Sequence, residues 1–86
     1  MVAKIILHHP HVDVHSGALC YGASYRLSEK VQGVEDGEIE LVPSVPMTDA
    51  EILDSIKVLA VDHANLQTAN AVPFTLADVI TWESGR

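Results

Sequence analysis

Cys20 is the only cysteine in the chain, so no intrachain disulfide, four-cysteine zinc site or redox pair can form. Basic side chains are also scarce. Five Lys and Arg stand against twelve Asp and Glu, and none of the five sits in a cluster. The electrostatic footprint for phosphate backbones or anionic lipid is therefore missing, and neither nucleic acid nor a membrane surface is an expected partner. Long apolar runs are missing too, the longest holding four residues, as in Val58-Leu59-Ala60-Val61, against the ~20 that a spanning helix needs. After Lys4 only Ile5, Ile6 and Leu7 precede His8, too few for the apolar core of a secretory signal. A cytoplasmic chain, or one carried in a virion assembled in a host cytoplasm, is expected. Glycine-rich phosphate loops, nucleophile elbows, internal repeats and low-complexity tracts do not occur.

What remains is 86 residues, 48% of them hydrophobic, with a net charge of −7. That length supports one small domain, 1–86, able to bury only roughly 60–65% of the surface of its unfolded chain. Without disulfides, the remedies left to such a fold are a metal held by histidines or association with other chains. Charge is divided along the chain. Residues 1–30 carry three cations against two carboxylates, a sum of +1, and residues 31–86 carry two against ten, a sum of −8. A subunit polarised in this way suits contacts between unlike surfaces.

Residues 2–7 are β-branched and apolar and read as a strand, which Pro10 interrupts because it has no amide hydrogen to give. The segment 1–15 then becomes an edge strand or an extended amino-terminal arm. Gly17 and Gly22 delimit short strand candidates at Ala18 to Tyr21 and Ser24 to Leu27. Asp36-Gly37 is the pair that a tight two-residue turn demands, and the alternation in Glu38-Ile39-Glu40-Leu41 predicts a hairpin with Ile39 and Leu41 facing inward. Pro43 and Pro46 end the sheet. Thr48-Asp49-Ala50-Glu51 is a capping box and predicts a helix from Asp49 to about Ala64, with Ile52, Leu53, Ile56, Leu59, Ala60 and His63 on one face. Val58 and Val61 fall on the opposite face, as candidates for a contact with another chain. Residues 63–77 hold no charged side chain and lead to a short helical turn closed by Thr75 and Asp78, then a last strand, Val79 to Trp82. The expected fold is α+β, a small, mainly antiparallel sheet with one amphipathic helix packed on it.

One segment has the residue types for chemistry. In His8-His9-Pro10-His11-Val12-Asp13-Val14-His15, an extended backbone places His9, His11, Asp13 and His15 on one face, as imidazole and carboxylate ligands for a divalent transition metal. The spacing resembles the His-x-His-x-Asp-His signature of metallo-β-lactamase hydrolases, from which it departs by the extra Val14. The alternative is a polar edge in which His8, His9 and His11 contact a neighbouring subunit. Cys20, between Leu19 and Tyr21, reads as a small buried hydrophobe, and His63 as a core histidine with a hydrogen-bond partner.

The carboxyl half, with Thr48-Asp49-Ala50-Glu51-Ile52, a neutral connector and then Phe74-Thr75-Leu76-Ala77-Asp78-Val79, resembles the small virion proteins of tailed bacteriophages. The resemblance implies a multi-copy, non-enzymatic structural subunit of a capsid, neck or tail, without a cofactor, whose partners are its own copies and other structural proteins. The competing expectation is a small histidine-rich metal-binding protein or metallohydrolase built on His8 to His15. A regulatory module of the antitoxin type would need a basic reading element that the chain lacks.

Overall fold

The computed structural model describes residues 3–15, 18–31, 33–67 and 74–82; the side chains of 13–15 and 18 fall outside that description. The elements in chain order are β1 (Ile5–His8), β2 (His11–His15), β3 (Ala18–Leu27), β4 (Gly37–Leu41), α1 (Asp49–Leu66), a single 3-10 turn (Leu76–Asp78) and β5 (Val79–Trp82). The five strands form one mixed, mostly antiparallel sheet, and with α1 on one side of it the fold is α+β. The long strand β3 is the hub. β4 pairs along one side of it, β1 and β2 follow each other along the other side, and β5 runs parallel to β1.

The register slips by one residue between β1 and β2. Leu7 opposes Tyr25 but His11 opposes Gly22, so three residues, His8 to Pro10, span what Ala23 and Ser24 span on β3. This is a β-bulge at the residue that cannot donate to the ladder. Its consequence is a change of phase: Ile5 and Leu7 point to the helix side in β1, whereas in β2 that side is taken by Val12, opposite Tyr21.

Three expectations need correction here. β3 runs unbroken through Gly22, because a glycine between two paired neighbours weakens a strand without ending it. Asp36-Gly37 is not the centre of a hairpin: β4 pairs with β3, and the tight reversal lies one step earlier, where Val31 bridges Val34 and Gly33 takes a φ of 87°. Asp36 instead uses its carboxylate to accept the Leu27 amide at 3.2 Å. Val61 is not on an outer face either. It is 8% exposed and belongs to the core with Ile52, Ile56, Ala60 and Ala64. The stripe centred on 52, 56, 60 and 64 follows the i, i+4 ridge, and Val61 lies beside it at the sheet contact.

The helix begins where its capping box predicts: the Glu51 amide donates to Thr48 Oγ1 at 3.2 Å, and the Thr48 amide donates to Glu51 Oε1 at 2.9 Å. Its buried face rests on Ile5, Leu7, Ala23, Tyr25 and Ile39 of the sheet, with Ala3, Val34 and Phe74 closing the margins. Each fully buried isoleucine or leucine in such a core contributes on the order of 1.5–3 kcal/mol. The opposite side of the sheet carries no element among the described residues.

Candidate interaction surface

The bulge decides the fate of the histidine segment. His9, before the slip, lines a groove on the helix side with Val12, Tyr21, Asp49 and Ile52, while His11, after it, lies on the other side among Ser24, Glu38 and Glu40. The expectation that His9 and His11 share a face is therefore overturned, since alternation holds only within an unbroken strand. Asp13 and His15 are placed in the ladder opposite Cys20 and Ala18, and their side chains lie outside the described residues. Among the described residues no three His, Cys, Asp or Glu side chains group so as to hold a metal ion. Of the remaining candidates, Val58 is 43% exposed on α1, and His8 is half-buried in β1.

His8 leads to a constellation that sequence reasoning missed. Its ring meets the edge of Trp82 at a centroid distance of 4.7 Å, and the guanidinium of Arg26 lies 4.7 Å over the same indole. A guanidinium over an indole face is held by the ring quadrupole, worth about 0.5–1 kcal/mol at an exposed site. The ladder explains the meeting: His8 opposes Trp82 and Ile6 opposes both Ile80 and Arg26, so all five side chains leave the sheet on the side away from α1. Farther across the same face, Glu38 and Glu40 stand exposed on β4, opposite Ser24 and Gly22. Two shallow depressions join these groups, one of about 300 Å³ beside His8, Arg26 and Glu38 and one of about 430 Å³ beside His11, Ser24 and Glu40. The open face thus has an aromatic and cationic end at β1 and β5 and an acidic end at β4. Ile80 and Trp82, spaced i and i+2 in the last strand, were the available signal. Nothing in the sequence tells which face of an isolated four-residue strand is covered.

On the covered side the polar groups are tied up in structure. The Gln67 side chain pairs with the backbone of Glu35, accepting its amide at 2.9 Å and donating to its carbonyl at 3.0 Å, which fixes the orientation of the Gln67 amide group. Gln67 Nε2 then also donates to the Tyr25 hydroxyl at 2.9 Å, leaving the phenolic proton for Nδ1 of His63. Tyr25 is buried, and desolvation holds its phenol above the ordinary value of 10.0, against the lowering effect of the Gln67 bond. His63 is exposed rather than buried as expected, yet it has the hydrogen-bond partner foreseen for it. Asn65 repeats the device on Phe74, donating to its carbonyl at 3.1 Å and accepting its amide at 2.8 Å. These amides staple the end of α1 to two connections. Cys20, opposite Asp13 and in phase with Gly22 on the other side of the sheet, is buried, in line with its reading as a small hydrophobe.

At the start of β5, Asp78 accepts the Thr75 amide at 2.8 Å and lies 3.5 Å from the Lys4 ammonium. The Thr75 backbone bond, followed by the Thr75 hydroxyl and Lys4, holds the carboxyl below its ordinary 3.8. No described helix is long and apolar enough to cross a membrane. Compared with family models, curated proteins and solved structures, the chain finds no significant match. Its function must therefore be argued from its own surface.

Proposed function

We propose that this chain is a non-enzymatic structural subunit that works by contacting other copies of itself and other structural proteins of an assembly. The observation that carries the reading is the uncovered side of the sheet, where Ile80 is 47% and Trp82 38% exposed beside Ile6. Among the described residues no element packs on this side, and the exposed apolar and aromatic side chains at its β5 end are surface suited to another protein. Val12, Leu19 and Val58, each at least 43% exposed, add apolar area on other sides. On the covered side Tyr25 and His63 join β3 to α1 through a hydrogen bond, a structural use of two titratable groups. A multi-copy virion protein of a tailed bacteriophage, the class that the carboxyl half resembles, is the particular form of this reading.

Sedimentation equilibrium across the micromolar range tests it, together with pull-down of the tagged chain from a lysate of infected or expressing cells. Self-association, or co-purification with particle proteins identified by mass spectrometry, supports the reading. A monomer at every concentration that co-purifies with no structural protein would overturn it.

A further inference from the structure

We propose that the open sheet face is a two-fold self-association surface, in which the acidic β4 end of one copy lies against the Trp82 and Arg26 end of its mate. The proposal rests on the assembly reading above and adds to it the partner, a second copy, and the residues that meet.

Charge on this face is arranged for self-complementarity. Across the sheet, one row runs from Glu38 on β4 through Ser24 on β3 and His8 on β1 to Trp82 on β5, following the pairings Glu38 to Ser24 and His8 to Trp82. Arg26 belongs to β3, but it reaches across β1 to set its guanidinium over Trp82, so its charge sits at the β5 end of the row. Sheets that pack face to face do so about 10 Å apart with their strands nearly aligned. A two-fold axis in that interface and parallel to the strands preserves the position along each strand and exchanges left for right. It therefore sets Glu38 of each copy opposite the Trp82 and Arg26 of the other. Stacking uses the flat side of the guanidinium and leaves its N–H edge to meet a carboxylate. Lys4 is paired with Asp78, while Arg26 meets the Trp82 indole. Ile6 on β1 falls between the charged ends, with Ile80 beside it on β5, and there the two copies would exclude water. An isologous contact of this kind closes on itself and yields a dimer rather than a filament.

Charge-reversal variants test the proposal by sedimentation equilibrium, with far-ultraviolet circular dichroism confirming that each variant is folded. Arg26→Glu takes the net charge from −7 to −9, a change of two, and Glu38→Arg with Glu40→Arg takes it to −3, a change of four. Each variant places like charges across both halves of the interface and should weaken dimerisation by about tenfold or more. Because the net charge moves in opposite directions, general repulsion cannot account for loss in both. Mixing the two variants should restore a heterodimer, since every reversed group then meets its complement. Trp82, the only tryptophan, supplies a second readout: its emission should shift to the blue as wild-type dimer forms and return to the red on dilution.

Wild-type dimer lost in both variants and regained on mixing supports the proposal. A dimer that persists unchanged in both variants, with Trp82 emission independent of concentration, would overturn it and leave the assembly reading standing on another surface. A wild-type chain that is monomeric throughout the micromolar range would also overturn it. The assembly reading would then depend on co-purification with other structural proteins.

Discussion

At the residue scale, Gly37 is held by the close approach of two side chains. A methyl group built there would lie 2.8 Å from His63 Cε1 and 2.9 Å from the Tyr25 hydroxyl, where no carbon can sit without displacing its neighbours. The glycine is thus fixed by close approach, since the His63 and Tyr25 pair passes directly over the backbone of β4. Gly37→Ala should cost about 1–3 kcal/mol by chemical denaturation, as overpacking does. In a His63→Ala background, where the nearest ring atoms are gone, the same substitution should cost measurably less. Equal costs in the two backgrounds would show that His63 does not press on this strand. Tyr25 itself allows a pH test. Its folded phenol keeps its proton after the unfolded one has lost it, so the associated stability is complete below about pH 10 and declines as pH rises from there through the raised folded value. Tyr25→Phe should lose about 1 kcal/mol at neutral pH through its hydrogen bonds to Gln67 and His63. It should also flatten the alkaline limb of a plot of melting temperature against pH. An unchanged limb would place the alkaline sensitivity elsewhere.

Elements differ in how far their own residues announce them. The helix was legible because its start is chemical, a Thr and a Glu three apart, and its body is periodic. The last strand and the turn before it were legible for a similar reason, the Thr75 and Asp78 closure. Acid melting checks that closure. The depressed Asp78 carboxyl contributes stability above its ordinary 3.8 and loses it as pH falls through the lower folded value, so Asp78→Asn should be less stable at neutral pH and fall less steeply in acid. The partners of strands were harder to read. Alternation predicts two faces but not which neighbour lies alongside, and so the hairpin expected at Asp36-Gly37 gives way to a pairing of Glu38 to Leu41 with β3, although Ile39 does face inward. The bulge at Pro10 is a further case: the proline is visible, but the one-residue slip that separates His9 from His11 depends on the register against β3, which alternation alone does not specify. Equilibrium dialysis against zinc or nickel checks this placement. No tightly held equivalent that depends on both His9 and His11 should appear. A stoichiometric metal lost in each single alanine variant would mean that the two imidazoles converge.

For the molecule as a whole, the division of charge along the chain becomes a division of space. The cation Arg26 and the ring of His8 come from the near-neutral first thirty residues, Glu38 and Glu40 from the acidic remainder, and the sheet sets them at opposite ends of one open face. Two facts then point the same way, a small core under one side of the sheet and a polarised, partly apolar surface on the other. If the second face completes the burial that the first begins, folding and association are linked, and stability depends on protein concentration. Above the dimer dissociation constant, each tenfold increase in concentration adds about 1.4 kcal/mol per dimer, or roughly 0.7 kcal/mol per chain. For a domain of this size that raises the melting temperature by roughly 3–5 °C. Differential scanning calorimetry at several concentrations should find this slope in the wild-type chain and a flat line in Arg26→Glu. A wild-type melting temperature that ignores concentration would mean that the covered face alone sustains the fold. The polarity of the open face would then have to serve a partner other than a second copy.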